Sequence, residues 1–107
     1  MFHDYVRAVL SAYVALPETP CRTSRFDRRL ACDLQQRAVP VATVTDAFSL
    51  AIARRRTRPD GSVPLGSIRS LAYFLPVIQE LIVRPMDPTY AAYLRRKVFH
   101  APVSPPS

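Results

Sequence analysis

The sequence contains few of the residue types from which enzyme and metal sites are built. Its two histidines, His3 and His100, stand at opposite ends of the chain, and its two cysteines, Cys21 and Cys32, form no Cys-x-x-Cys pair. Zinc sites need closely spaced Cys and His ligands, so we expect no metal site. Because the chain has no other secretory feature, we expect no disulfide either.

Glycine is also scarce, with Gly61 and Gly66 as its two occurrences. A loop that cradles a nucleotide phosphate needs several glycines at fixed spacing, so the sequence excludes that class of site. The 8 acidic residues stand mostly where helix caps or turns are expected, and none of them marks a catalytic pair. The sequence therefore predicts a protein that is not an enzyme and that uses no cofactor and no small-molecule substrate.

Long apolar runs are missing as well. No segment approaches the roughly 20 apolar residues that a membrane-spanning helix requires. Asp4 and Arg7 interrupt the apolar start of the chain, so we expect no signal peptide. These absences favour a cytoplasmic protein without a membrane partner. The length of 107 residues and the hydrophobic content of 49% fit one domain with a single core.

Apolar residues spaced for helices are abundant. They recur every three or four positions in several segments, and no segment alternates as a strand would. We predict an all-α fold, a compact single-domain bundle of about five helices over residues 1–100, followed by a disordered, proline-rich tail over 101–107. The expected inward-facing residues are Phe2, Val6, Val9, Tyr13 and Leu16, then Phe26, Leu30 and Leu34, then Val41, Val44, Phe48 and Ile52, and finally Tyr90, Tyr93, Leu94 and Val98.

Caps and breaks predict where these helices begin. Ser24 with Asp27 three residues later resembles a capping box at the start of the second helix. Pro40 suits the start of the third helix, which we expect to end at Arg56. Asp87, followed by a proline, is typical of the start of the last helix.

The fourth predicted helix, over 68–83 with Ser67 as its cap, is apolar on two sides. That pattern is typical of a helix buried between others, so we expect it to be the central helix of the bundle. Pro76 lies in its interior and predicts a kink. Alternatively, one apolar stripe binds a protein partner or a second copy of the chain, and that stripe consists of Phe74, Val77 and Leu81.

Basic residues outnumber acidic ones and give the chain a net charge of +7. All but one of the 15 basic residues are arginine, whose planar guanidinium binds phosphate bidentately. The helix dipole stabilises cations at the C-terminal end of a helix and destabilises them at the N-terminal end. Several of these arginines stand at the N-terminal end of the second predicted helix. The predicted nucleic-acid-binding residues are Arg22, Arg25, Arg28, Arg29, Arg54, Arg55, Arg56, Arg58, Arg95, Arg96 and Lys97.

These clusters favour a small, basic, non-enzymatic accessory protein that contacts the phosphates of DNA or RNA. One alternative is a helical adaptor or a subunit of a larger complex, whose basic surface is solvated or faces an acidic protein. A third interpretation is a helix-turn-helix regulator, because the second and third helices are separated by a short break. In that case the third helix presents Thr43, Thr45, Asp46 and Ser49 to base edges.

The order of elements resembles the helical C-terminal domain of DnaD-like primosomal and phage replication proteins. Residues 24–56 correspond to the first helix pair of that domain. Residues 67–81 correspond to its helix with a Tyr-x-x-x-Ile-x-x-x-Trp type motif, with Tyr73, Val77 and Leu81 at the three motif positions. The resemblance implies a role in DNA replication or in a mobile element, with contact to single- or double-stranded DNA.

Overall fold

Five α-helices make up most of the computed structural model, which describes residues 2–59, 61–63 and 65–100. A 3₁₀-helix (Leu71–Phe74) leads into the fourth α-helix, and a π-helix (Arg96–His100) follows the fifth. No strand occurs within these ranges, so the predicted all-α bundle is confirmed. The predicted tail over 101–107 lies outside the described residues. The α-helices are α1 (Phe2–Ala15), α2 (Arg25–Gln36), α3 (Val41–Arg56), α4 (Leu75–Val83) and α5 (Pro88–Arg95).

α3 is the central helix of the bundle. It contacts α1, α4, α5 and both short helices. Every residue from Ala47 to Ile52 is buried, so this part of α3 is covered on all sides. The prediction that the fourth helix is central is therefore wrong. Ser49, which the helix-turn-helix interpretation places against base edges, is completely buried and donates a hydrogen bond to the Thr45 carbonyl at 3.3 Å.

Three buried aromatic rings join α1, α3 and the 3₁₀-helix. The ring centroid of Phe48 lies 4.8 Å from that of Phe74 and 6.3 Å from that of Tyr13, and the Tyr13 and Phe74 centroids are 6.1 Å apart. Tilted and edge-on pairs of this kind add about 0.5–1.5 kcal/mol each beyond area burial. Phe74 thus belongs to the core, as does Leu81, while Val77 is half-buried against it. The predicted partner stripe of Phe74, Val77 and Leu81 is therefore wrong.

The segment predicted as one kinked helix over 68–83 is instead two helical pieces. The Ser70 hydroxyl accepts a hydrogen bond from the Ala72 amide at 3.2 Å and begins the 3₁₀-helix, so Ser67 is not the cap. Pro76 lies in the first turn of α4, where an amide has no helical partner to lose. The proline therefore begins a helix here and does not bend one.

The buried face of α2 differs from the predicted one. Phe26 is 53% exposed, whereas Asp27, Ala31 and Leu34 are buried. Leu34 is buried as predicted, whereas Asp27 and Ala31 take the inner positions expected for Phe26 and Leu30. An apolar pattern does not predict the first of these, because a carboxylate is rarely an inward-facing residue. Tyr90 and Tyr93 of α5 are also about half exposed, which corrects their predicted inward orientation.

The predicted helix starts are confirmed at α2 and α5. Ser24 and Asp27 form the capping box, with Ser24 Oγ accepting from the Asp27 amide at 3.1 Å and Asp27 Oδ2 accepting from the Ser24 amide at 2.9 Å. The Asp87 carboxylate accepts from the amides of Thr89 and Tyr90 at the start of α5. α3 begins directly after Pro40, as expected to within one residue.

The turn between α2 and α3 closes without a glycine. Ala38 adopts a left-handed conformation with φ of 59°. The Ala38 amide donates to the Gln35 carbonyl and the Val39 amide donates to the Leu34 carbonyl, which is the Schellman pattern of helix ends. The Tyr5 hydroxyl of α1 donates to the Val39 carbonyl at 2.6 Å, so α1 holds this turn in place.

Asp27 also links α2 to the 3₁₀-helix, because its Oδ1 atom accepts a hydrogen bond from the Leu71 amide at 2.9 Å. We expect Asp27→Ala to lower the free energy of unfolding by about 2–4 kcal/mol, since it removes a cap and leaves a buried amide unsatisfied. Asp33→Ala, on the exposed side of the same helix, is the matched control. It should change the free energy of unfolding by under about 0.5 kcal/mol. Urea unfolding followed by circular dichroism measures both, and equal losses would contradict the proposed bridge.

The Tyr13 hydroxyl is buried and has no hydrogen-bond partner among the described residues. Burial, aided by the negative charge of Asp27, raises the pKa of Tyr13 to about 12. The folded state therefore holds this proton more tightly than the unfolded chain, whose tyrosines titrate near the ordinary value of 10.0. The protonated Tyr13 hydroxyl therefore contributes to the free energy of unfolding. This contribution is fully present below pH 10 and is lost as the pH rises toward 12.

We expect Tyr13→Phe to be at least as stable as the wild type at neutral pH, because it removes an unsatisfied hydroxyl. Between pH 10 and pH 12 the wild type should lose about 2–3 kcal/mol more than the variant. Urea titrations at stepped pH measure the difference. Tyr93→Phe, at a half-exposed ring, should follow the wild type. Parallel pH curves for wild type and Tyr13→Phe would rule out the linkage.

Candidate nucleic-acid interface

The predicted basic residues divide into those that bond to the protein itself and those that do not. Arg54 at the end of α3 is in the first group. Its two terminal nitrogens donate to the Glu80 carboxylate of α4 at 2.9 and 2.7 Å. This hydrogen bonding lowers the pKa of Glu80 and raises the pKa of Arg54. Both side chains are about half exposed, so the pair neutralises local charge but contributes little to stability.

Arg55 is almost enclosed, with a side chain that is 8% exposed. Its guanidinium donates to Glu18 at 2.9 Å, to the Tyr73 hydroxyl at 3.2 Å and to the Gly66 carbonyl at 2.9 Å. The same guanidinium lies 5.3 Å from the centroid of the Tyr73 ring. Arg55 thus fastens the loop after α3 to the bundle, which corrects the prediction that it contacts phosphate.

Three further predicted arginines also bond within the protein. Arg58 donates to the Val63 carbonyl at 2.6 Å, and Arg95 donates to Asp46 at 3.1 Å. Arg56 lies 3.7 Å from Glu18, a looser ion pair. Burial raises the pKa of Asp46, and Arg95 offsets part of that shift. The Arg56 and Arg95 side chains remain 41% and 47% exposed, so each keeps open donors.

The arginines before and within the first turns of α2 form the second group. They are all exposed, and none of their guanidinium groups makes a hydrogen bond or ion pair with another described residue. They stand at the positive end of the helix dipole, where cations are unfavourable unless an anion is near. These residues are Arg22, Arg25, Arg28 and Arg29.

A groove between α1 and α2 collects three guanidinium-bearing side chains. Arg7 of α1, Arg28 of α2 and Arg22 of the intervening loop line a cavity of about 530 Å³ with an apolar floor. Cys32 lies half-buried in the same groove. Arg7 is absent from the predicted site residues. Its position on the polar side of α1 was the available signal, but only the packing of α1 on α2 brings it beside the α2 arginines.

The basic surface continues from this groove toward the end of α3. Arg22 also lines a neighbouring depression together with Glu18 and Arg69. Glu18 in turn lies beside Arg56. Arg22 therefore belongs to two cavities, and the Glu18 carboxylate of the second one contacts the last turn of α3.

Arg96 and Lys97 in the π-helix are both exposed. The Lys97 ammonium lies 5.5 Å from the centroid of the Tyr93 ring. Lys97 also lines a separate groove between α3 and α5. The predicted basic residues thus do not form one patch: Arg22 and Arg28 line a groove with Arg7, while Arg95, Arg96 and Lys97 stand at the end of α5 and directly after it.

The described residues include neither a metal-ligand cluster nor a membrane-spanning helix. Across the parts of the chain that the structure describes, no three His, Cys, Asp or Glu residues converge into a group that could hold a metal ion. Among the same residues, no helix combines the length and apolar character needed to cross a membrane.

The contacts of the Arg55 guanidinium to three segments should stabilise the folded state. We expect Arg55→Ala to lower the free energy of unfolding by about 2–3 kcal/mol, because hydrogen bonds to three separate segments are lost. Arg54→Ala on the same turn removes an exposed ion pair and should cost under about 1 kcal/mol. Chemical denaturation of the two variants compares them directly. Similar small losses would show that the Arg55 contacts are dispensable for the fold.

Known proteins provide no template for this surface. Comparison of the chain with family models, with curated proteins and with solved structures found no match in any of the three.

Proposed function

We propose that this protein binds nucleic acid through the backbone phosphates, using the arginine-lined groove between α1 and α2. The observation that supports the proposal best is the convergence of Arg7, Arg22 and Arg28 on one groove without a carboxylate partner among the described residues. Guanidinium groups bind phosphate oxygens bidentately, with charge-assisted hydrogen bonds. The net charge of +7 adds long-range attraction for a polyanion.

The position of these arginines favours a ligand-binding role over a structural one. Arginines at the end of α3 offset the helix dipole and bond to Glu18, Glu80 and backbone carbonyls. Arg25, Arg28 and Arg29 stand at the start of α2, where the helix dipole does not favour a cation. Their guanidinium groups also make no bond to a carboxylate or carbonyl among the described residues. Phosphate oxygens near them offset both the mutual repulsion of the guanidiniums and the unfavourable dipole.

The extent of the basic surface favours a polymer over a small anion. Cationic side chains continue from the groove through Arg22 to Arg69, and Arg56 lies beyond them beside Glu18. Phosphates repeated along a strand match such a path, whereas a single phosphate group occupies only part of it. Backbone contact carries no sequence information, so we propose binding without base-specific readout.

We also propose a cellular role. The resemblance to DnaD-like domains favours a non-enzymatic accessory protein in DNA replication or in a mobile element, acting in the cytoplasm. An adaptor that docks an acidic protein on the same arginines is the competing interpretation.

Binding to nucleic acid should depend steeply on salt. If about five arginines contact phosphates, the plot of log affinity against log salt has a slope of about −4 on duplex DNA. Replacing the groove residues together, as Arg7→Gln, Arg22→Gln and Arg28→Gln, should flatten that slope by about 2–3. Fluorescence anisotropy of a labelled oligonucleotide between about 50 and about 200 mM salt measures both slopes.

A second triple variant controls for net charge. Arg54→Gln, Arg58→Gln and Arg95→Gln remove the same number of charges from arginines that bond to the protein itself. We expect this variant to keep most of the wild-type slope. Equal slopes for the two variants would show attraction to net charge rather than to the groove. No binding of the wild type at low salt would exclude the function.

A further inference from the structure

The groove between α3 and α5 displays two aromatic rings to solvent. Tyr90 and Tyr93 are 48% and 46% exposed. Their spacing of three residues places them on one face of α5, and their rings are stacked with centroids 6.2 Å apart and planes inclined by 24°. Neither ring is needed to fill the core, which Leu94 and Val98 of the same segment complete.

Three cationic side chains line the same groove as these rings. The Lys97 ammonium lies 5.5 Å from the Tyr93 ring centroid, and Lys97 makes no ion pair with a described residue. Arg56 on the facing helix also lines the groove, with only a loose contact to Glu18. Arg54 lies in the same groove but is neutralised by Glu80. The groove, about 510 Å³ in volume, thus joins aromatic faces to cations.

We propose that Tyr90 and Tyr93 form a stacking platform for unpaired nucleobases, with Lys97 and Arg56 binding the adjacent phosphates. The ligand is then single-stranded nucleic acid. Aromatic faces combined with cations are the usual means of holding a single strand, because every nucleobase presents a flat face. In a duplex those faces are stacked on each other and cannot reach the tyrosines. This inference rests on the proposed function and specifies its substrate class.

The path between the two grooves supports a strand as the occupant. Arg56 lines the α3–α5 groove and contacts Glu18, and Glu18 shares a depression with Arg22. Arg22 in turn lines the α1–α2 groove. Arg56, Glu18 and Arg22 thus connect the tyrosine platform to the α2 arginines, with one carboxylate between the cations. A flexible single strand can adapt its backbone to two separate cationic sites, whereas a stiff duplex does so only at a cost in bending.

The test compares two oligomers with the same number of phosphates. One is oligothymidylate of about 12 nucleotides, within the usual length range for a single-strand site. The other is an abasic strand of equal length, which carries the phosphates but no nucleobases. Anisotropy measures affinity for each. Because the chain has 5 tyrosines and no tryptophan, tyrosine fluorescence can be followed alone, and the part of the quenching that is lost when Tyr90 and Tyr93 are replaced reports stacking on the platform.

Two double variants isolate the rings. Tyr90→Leu with Tyr93→Leu removes the aromatic faces and keeps apolar bulk at half-exposed positions. Tyr90→Phe with Tyr93→Phe keeps the faces and is the matched control. Circular dichroism confirms that both variants remain folded.

We expect the wild type to bind oligothymidylate about tenfold more tightly than the abasic strand, with quenching of tyrosine fluorescence. The leucine variant should lose this preference and bind the abasic strand unchanged, while the phenylalanine variant keeps the preference. Equal wild-type affinities for the two strands would overturn the platform and leave the phosphate-binding groove standing. Binding to neither strand would overturn both proposals. Quenching by an acidic, phenylalanine-containing peptide but not by oligothymidylate would assign the groove to a protein ligand and overturn the platform.

Discussion

The contact of three aromatic rings in the core holds the rest of the structure in place. Tyr13, Phe48 and Phe74 come from α1, α3 and the 3₁₀-helix, and all three are completely buried. Because α3 is covered on all sides between Ala47 and Ile52, the surrounding helices are positioned by their packing on it. The two grooves of functional interest lie at the α1–α2 and α3–α5 junctions, so their shapes depend on the same core.

The arginines divide according to whether a carboxylate or carbonyl is within reach. At the end of α3 the helix dipole favours cations, and Glu18 reaches Arg55 and Arg56 from the turn after α1. Glu18 adopts a left-handed backbone conformation, with φ of 69°, in this turn. At the start of α2, in contrast, both oxygens of the Asp27 carboxylate accept hydrogen bonds from backbone amides. The α2 arginines are therefore left to solvent or to a ligand.

Two kinds of contact to nucleic acid are proposed for two separate grooves, and they serve different purposes. The α1–α2 groove offers charge, which attracts any phosphate chain and is weakened by salt. The α3–α5 groove offers aromatic faces, which distinguish exposed nucleobases from paired ones. Arg22, Glu18 and Arg56 connect the two grooves. The proposed division of charge and aromatic faces would allow binding of strands without readout of their sequence.

Local chemistry determined the fold class and the helix starts. Periodic apolar residues predicted an all-α bundle, and Ser24, Asp27 and Asp87 marked helix starts, because a cap acts within four residues of chain. Tertiary packing decided the exceptions to the apolar pattern: Asp27 is buried in place of Phe26 on the inner face of α2, Phe74 and Leu81 enter the core, and Tyr90 and Tyr93 stay exposed. Packing also joined Arg7 to the α2 arginines and enclosed Arg55. Contacts between residues distant in the chain leave no periodic signal, since they depend on how helices pack and not on what each helix contains.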